Sequence, residues 1–344
     1  APDFTWETVT QMDFGFDASF LNNRLTGTFD WYRRNTKDML VAGATLPATL
    51  GASVPKSNSA DMKTIGWELS LGWNDRLENG FSYWVKGVLS DYQATITKYA
   101  GNDAGFYSQS DDDGKYYVGQ KIGEIWGYHS NGLFQSDDEA ATIDQSELYA
   151  GKWGAGDVKY EDLDNDGKIT KGEETIYNPG DKSIIGNKTP RYQFGITVGF
   201  DYKNFDFEMF WQGTGKRDYM LSGAQFWGFP SQWDVPYTPA LDYWTETNTD
   251  AYFPRPGWQN GGNRVTSDRY LQSAAYGRLK NLTVGYTIPK NLTTKWGISR
   301  LRLYVTGENL LTITPLNDAF DPETLGGMTY PINRKVAIGL NLTL

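Results

Sequence analysis

The chain has no cysteine and only one histidine, His129, among its 344 residues. The first absence excludes a disulfide framework and thiol chemistry. The second excludes most histidine-based catalysis and any histidine-rich metal centre. No apolar run approaches the roughly 20 residues that a membrane helix needs. A β-barrel remains open, because barrel strands carry apolar residues only at every second position. An excess of positive charge is missing too: 42 Asp and Glu against 32 Lys and Arg give a formal net charge of -10. Nucleic acid is therefore not an expected partner, since phosphate neutralisation needs a basic face. The opening residues Ala1-Pro2-Asp3 have neither the basic nor the apolar region of a signal peptide. An envelope protein would be represented here after processing, or as a fragment.

Aromatic residues, by contrast, are abundant, with 22 Tyr, 17 Phe and 13 Trp. That suits the aromatic girdles of a membrane barrel, or a carbohydrate-binding surface. The end of the chain shows a matching pattern. Val336, Ile338, Leu340, Leu342 and Leu344 alternate with Lys335, Ala337, Gly339, Asn341 and Thr343. Side chains alternate across a strand, so this is a ribbon with one greasy face and one small, polar face. A soluble sandwich strand would read the same way, but the pattern recurs. Alternation predicts nine strands, over residues 11–20, 25–32, 64–73, 81–90, 192–200, 205–211, 281–288, 300–310 and 335–344. Phe14, Phe16, Leu69, Ile196, Val284, Leu303 and Ile338 would face lipid.

The connections carry as much information as the strands. Asn22-Asn23-Arg24 suits a tight turn, because Asn tolerates positive φ. Residues 289–296 are short enough for a single helical turn. Links within strand pairs are short, whereas 37–63, 92–191, 213–280 and 311–334 are long. Such alternation is that of a membrane barrel, with short periplasmic turns and long extracellular loops. Asp111-Asp112-Asp113 would then lie outside the cell. Bacterial single-chain barrels have even strand numbers. Nine strands therefore imply the C-terminal part of a larger barrel, completed by another chain or an upstream segment. The fold class expected is all-β: an antiparallel transmembrane barrel segment spanning residues 1–344.

Several stretches strengthen this reading. Tyr276-Gly277-Arg278-Leu279-Lys280-Asn281-Leu282-Thr283-Val284-Gly285-Tyr286-Thr287-Ile288-Pro289 and Gly297-Ile298-Ser299-Arg300-Leu301-Arg302-Leu303-Tyr304-Val305-Thr306-Gly307-Glu308-Asn309-Leu310-Leu311-Thr312 form one hairpin pattern. Leu241-Asp242-Tyr243-Trp244-Thr245, Asn248 and Phe253-Pro254-Arg255 form a loop pattern. Phe20-Leu21-Asn22-Asn23-Arg24, Gly156-Asp157-Val158-Lys159-Tyr160 and Ile185-Gly186-Asn187 complete the set. Taken in their order along the chain, they resemble the C-terminal barrel portion of SusC-like (RagA-like) TonB-dependent outer-membrane transporters. That resemblance implies a barrel of about 22 strands closed by an N-terminal plug, of which this chain holds the last strands. It implies TonB-dependent import of bulky nutrients, either glycans or oligopeptides. The implied partners are a SusD-like surface lipoprotein, the TonB complex acting through the plug, the remaining barrel segment and outer-membrane lipid. It implies no enzymatic activity.

One short site stands out. Residues 162–173 match the twelve-residue calcium loop at every defining position. Asp162, Asp164 and Asp166 supply carboxylates at positions 1, 3 and 5, and Gly167 supplies the sharp turn. The Lys168 carbonyl occupies position 7, Thr170 acts directly or through water, and Glu173 would bind bidentately. The flanks do not read as EF-hand helices, so the ion would brace a long loop. Many flexible ligands favour Ca²⁺ over Mg²⁺. The bland alternative is a solvated acidic turn.

A second candidate is the crowd of Phe226, Trp227, Phe229, Trp233, Tyr237, Tyr243 and Trp244. Trp227, Trp233, Tyr237 and Trp244 could stack on a ligand, although a loop of this length must also bury a core of its own. Asp13, Asp17, Asp30, Glu68, Asp206, Glu208 and Glu308 point inward by alternation, as a polar lumen requires without catalysis. Two rival classes remain in view: a secreted, calcium-stabilised carbohydrate-binding β-protein, soluble without detergent, and a secreted glycoside hydrolase using paired carboxylates.

Overall fold

The computed structural model describes every residue except 1–3, 43–48, 50, 52–54, 101–104, 106–115, 258 and 326–328. Residues 111–113 thus lie outside the described part. Four long strands come first: β1 (Thr8–Phe20), β2 (Leu25–Ala42), β3 (Lys56–Arg76) and β4 (Ser82–Tyr99). Four short ones follow: β5 (Glu124–Tyr128), β6 (Ser130–Leu133), β7 (Val158–Tyr160) and β8 (Lys182–Asn187). Then come β9 (Arg191–Tyr202), β10 (Phe205–Lys216), β11 (Asp218–Met220), β12 (Leu271–Ser273), β13 (Tyr276–Thr287), β14 (Arg300–Ile313) and β15 (Lys335–Thr343). One nine-stranded sheet runs in the order β1-β2-β3-β4-β9-β10-β13-β14-β15. Its neighbours are antiparallel throughout. These are the nine strands that alternation predicts, in sequence order, and β1 and β15 form the two edges of the open sheet.

Register explains why one face is apolar. Residues opposite each other in an antiparallel ladder share a face. Leu25 is opposite Trp73, Trp73 opposite Val85, and Val85 opposite Val198. Val198 is opposite Met209, and Met209 opposite Leu282. Farther on, Val284, Val305 and Ile338 form a continuous row. Phe14, Phe16, Ile196, Val284, Leu303 and Ile338 are exposed, and Leu69 is half-buried. An apolar surface running across nine strands is what a bilayer covers.

The other face is built from small and polar residues under large ones. A Cβ on Gly66 would lie 2.4 Å from the Tyr32 ring, and one on Gly339 would lie 2.3 Å from the Tyr304 ring. Each glycine makes room for an aromatic ring from the neighbouring strand.

The strands extend past their expected extracellular ends. β2 continues to Ala42, β4 to Tyr99 and β10 to Lys216, while β3 begins at Lys56 and β13 at Tyr276. Beyond the apolar belt the outward positions become polar, as at Arg33, Lys63 and Gln93. The alternation signal therefore ends before the hydrogen-bonded ladder does. At the opposite end, Leu21, Asn22 and Asn23 all adopt positive φ, at 56°, 58° and 66°, in the expected tight turn. Lys290–Thr293 and Thr294–Trp296 make the expected short helical turn.

The main hydrophobic core is outside the sheet. Tyr128, Leu133, Val158, Tyr160 and Ile169 come from the link between β4 and β9. Leu221, Phe226, Phe253, Tyr270 and Ala274 come from the link between β10 and β13, and Leu316, Phe320 and Leu325 from the link between β14 and β15. Three long links thus share one core and form a folded cap at one end of the sheet. Among the described residues no helix is long and apolar enough to cross a membrane.

Candidate functional site

An ion-pair network inside the cap joins two of the sequence patterns. Asp157 is fully buried. Its Oδ1 accepts from Arg255 Nε at 2.9 Å and from Asn263 Nδ2 at 2.8 Å. Its Oδ2 accepts from Arg255 Nη2 at 2.7 Å and from the Gly154 amide at 2.9 Å. Asn263 Oδ1 in turn accepts the Val158 amide at 2.8 Å. Gly156, at φ 83°, lies against Trp244, so a Cβ there would meet the indole at 2.5 Å. The Gly156–Tyr160 and Phe253–Arg255 stretches therefore meet at one bidentate carboxylate–guanidinium pair. Buried charges require such pairing and hydrogen bonding.

The acidic loop hangs from this cap. The carboxylate oxygens of Asp162, Asp164 and Asp166 lie within 4.8 Å of one another. Asp162 accepts the Asn165 amide at 2.7 Å and the Gly167 amide at 2.8 Å, with Gly167 at φ 84°. Asp166 Oδ1 accepts the Lys168 amide at 2.8 Å. Ile169 is buried in the cap core, and its amide donates to the Asp144 carbonyl at 2.7 Å.

Asp181, a residue the motif does not include, closes the loop. It is buried and accepts the Leu163 amide at 2.8 Å and the Thr170 amide at 2.7 Å. Its signal in the sequence is only an acid after the Pro179-Gly180 turn. Glu173 lies outside the group of three carboxylates, and its amide donates to the Asn178 carbonyl at 3.0 Å.

Electrostatics separates the three acids. Desolvation raises the Asp162 carboxyl, but the Gly167, Asn165 and Asp166 amides outweigh it and hold it below the usual range. Desolvation, with the charges of Asp166 and Asp181, pushes Asp164 up. Negative charge is thus uncompensated at Asp164, and a cation among these oxygens would relieve it. A three-carboxylate cradle with a left-handed glycine turn suits a hard, oxygen-seeking divalent ion.

The aromatic candidates divide by exposure. Trp227 and Trp244 pack on the cap core. Trp233 is 84% exposed and Tyr237 is 44% exposed, so these two rings face solvent. His129 Nδ1 lies 2.8 Å from Asp268 Oδ2, and its Nε2 lies 2.7 Å from Ser183 Oγ. The order of atoms is that of a hydrolytic triad, but Ser183 lies inside β8, paired with Gly127. The second Asp268 oxygen accepts the Ser130 amide at 3.0 Å. The group cross-links three cap segments, and no pattern in the sequence pointed to it.

Three of the lumen-face acids have structural partners. Asp206 pairs with Arg302, Asp17 accepts the Thr28 hydroxyl at 2.7 Å, and Glu308 lies 3.6 Å from Lys335.

Comparison with known proteins fits this architecture. The family model described as TonB dependent receptor-like, beta-barrel, matches residues 1–310. TonB-dependent receptor P3 of Formosa agariphila is 30% identical, over 98% of this chain and 34% of its own length. TonB-dependent receptor SusC of Bacteroides thetaiotaomicron is 26% identical, over 98% of this chain and 32% of its own. A solved RagAB peptide transporter superposes with a TM-score of 0.74 at 22% identity, over 99% of this chain and 36% of that one. The chain thus spans about a third of the length of the curated relatives it matches. The soluble lectin-like and hydrolase readings do not survive this match, and the family is one of outer-membrane transporters, not enzymes. A lipid-facing antiparallel sheet with a folded extracellular cap, matched over most of its length, belongs to the TonB-dependent receptor-like β-barrel family.

Proposed function

We propose that this chain is the C-terminal barrel portion of a TonB-dependent importer of bulky nutrients, glycans or oligopeptides. The plug and the first strands would come from outside residues 1–344, and TonB would act through that plug. The observation that carries the reading is the cap. Three long links share one hydrophobic core at one end of a lipid-facing sheet. In a closed barrel of about 22 strands that arrangement would roof a lumen with a polar wall. The relatives named SusC and RagAB support a surface lipoprotein of the SusD kind as a lid over the cap. Trp233 and Tyr237, the two exposed rings of the group, would stack on cargo or on that lid.

The acidic loop would hold one Ca²⁺, with Mg²⁺ the weaker fit. Asp162, Asp164 and Asp166 would supply carboxylate oxygens, the Lys168 carbonyl and Thr170 further oxygens, and Glu173 the closing ligand after a local shift. The ion would brace the cap.

The test is uptake by cells carrying the full-length transporter. Labelled oligosaccharides and oligopeptides are offered with and without a functional TonB. Accumulation of one class that collapses without TonB, and in a Trp233→Ala, Tyr237→Ala double variant, supports the reading. Accumulation of neither class, or accumulation indifferent to TonB, contradicts it.

A further inference from the structure

The outward face of β2 does not end in apolar residues. Phe29 packs on Phe16 with ring centroids 5.9 Å apart, on the lipid side. Even-numbered neighbours point the other way: Tyr32 covers Gly66, and Arg34 Nε donates to Gln11 Oε1 at 3.1 Å. Arg33 and Lys37 therefore share the outward face with Trp31, and the alternation breaks only at Asp38, where φ is 57°. On β3 the same face carries Lys63, Ile65 and Trp67. Lys63 is opposite Asn35, so Arg33 and Lys37 are its two diagonal neighbours across the ladder. Diagonal neighbours sit about 7 Å apart. Three cations thus form a compact group on adjoining strands.

Their height is set by the apolar band below them. Ile65 and Asp75 are ten residues apart on β3, with Trp67, Leu69, Leu71 and Trp73 outward between them. Ten residues at about 3.3 Å each, tilted by about 40°, rise about 25 Å, the height of a barrel's lipid-facing band. Trp31 is opposite Trp67 and forms an aromatic belt just under the cations. Arg33, Lys37 and Lys63 begin where hydrocarbon ends and headgroups start.

Three nearby acids are already engaged. Asp91 is forked with Arg191, with Oδ2 at 2.6 Å from Nη2. Asp61 accepts the Asp38 amide at 2.9 Å and is opposite Lys98. Glu7 accepts the Leu40 amide at 2.9 Å. Arg33 Nε donates to Asn35 Oδ1 at 3.3 Å, a neutral partner. None of the three cations makes an ion pair among the described residues.

We propose that Arg33, Lys37 and Lys63 form a binding site for the phosphate groups of outer-leaflet lipid. The long stems of Lys37 and Lys63 let their ammonium groups reach up to the headgroup plane, and the Arg33 guanidinium forks on phosphate oxygens. A lipid seated there would be held on the flank beneath the cap, its acyl chains along Phe29, Leu69 and Trp31.

The test uses the full-length transporter in nanodiscs of zwitterionic phospholipid. The discs are doped with a phosphorylated outer-membrane glycolipid, or with the same glycolipid after phosphatase treatment. Retained glycolipid is counted by native mass spectrometry. Each cation near a charged lipid surface changes affinity roughly fivefold. The triple Arg33→Gln, Lys37→Gln, Lys63→Gln variant should therefore lose retention by about a hundredfold. Arg34→Gln, one residue away on the lumen face, should retain lipid as the wild type does. Wild type with the dephosphorylated glycolipid should behave like the triple variant. If the triple variant does not assemble, Lys63→Gln alone reads the fivefold step. Equal retention in the wild type and these variants, or equal retention of the dephosphorylated lipid, overturns the proposal.

Discussion

Replacing Arg255 by alanine removes the guanidinium that pairs with the buried Asp157 carboxylate. Asp157 is 1% exposed at its side chain, and Arg255 is 40% exposed. Breaking a buried pair by removing one partner costs about 3–5 kcal/mol. Water reaches Arg255, and the Asn263 amide and Gly154 amide remain on the carboxylate. The lower end, about 3 kcal/mol, is therefore expected. That is roughly a hundredfold in the equilibrium for opening the cap. The assay is amide hydrogen exchange on the full-length transporter, read at Gly154 and Val158, whose amides donate into the network. Amides in β13 serve as the internal reference. Lys152→Ala is the control, because it removes an exposed pair to Asp137, with exposures of 78% and 54%. Such a pair contributes at most about 1 kcal/mol. If Arg255→Ala accelerates exchange no more than Lys152→Ala does, the network does not hold the cap together.

Three further outcomes follow from the same geometry. Ile338→Arg on the lipid face should lower barrel yield, at about 2–4 kcal/mol for a midplane cation. Asn341→Arg on the lumen face should do so far less, and equal tolerance would refute the face assignment. Chelation of divalent ions should open the acidic loop to limited proteolysis at Lys168 and Lys171, and Asp181→Asn should sensitise the same bonds even with calcium present. Unchanged cleavage in both cases would show that neither the ion nor Asp181 closes the loop. Hydrogen bonds donated by the Gly167, Asn165 and Asp166 amides hold Asp162 below the usual carboxylate range. Its stabilisation is thus present above the unfolded value and is lost as pH falls through the depressed one. Protection of the Asn165 and Gly167 amides, taken relative to their intrinsic exchange at each pH, should fall in acid across that window and stay constant above it, and unchanged protection through the window would refute the role of Asp162.

Much of the membrane part was legible, because a sheet with one face in lipid and one in a lumen repeats a residue-by-residue alternation in strand after strand. Rows such as Val284, Val305 and Ile338 are visible as a period of two in each strand separately. The upper halves of β2, β3 and β4 were not, since the outward positions turn polar there while Met39, Met62 and Ile96 pack in one cluster and register shifts at Met39 and Met62 break the period of two. The cap was the least legible. Its short strands β5 to β8 pair across links of tens of residues, with no local repeat to mark them. Asp157 and Arg255 stood in two quoted stretches, but only the fold brings residues 98 positions apart into one fork. The acidic loop was visible because its acids stand two residues apart within one short stretch of chain. Asp181, which closes it, was not, because its role depends on a turn. Trp227 and Trp244 show the same ambiguity, since an aromatic ring reads alike whether it packs a core or meets a ligand.

The central claim is that this sheet has one face in lipid and one in a lumen, and the chain's lack of cysteine makes a direct measurement possible. Single cysteines at Val336, Ala337, Ile338, Leu340, Asn341 and Leu342 would be labelled with an environment-sensitive probe. The host would be the full-length transporter in bilayers, cleared of cysteine elsewhere. A lipid-phase quencher should reach positions 336, 338, 340 and 342, and an aqueous quencher should reach 337 and 341. Quenching by the aqueous agent alone at all six positions would contradict the claim.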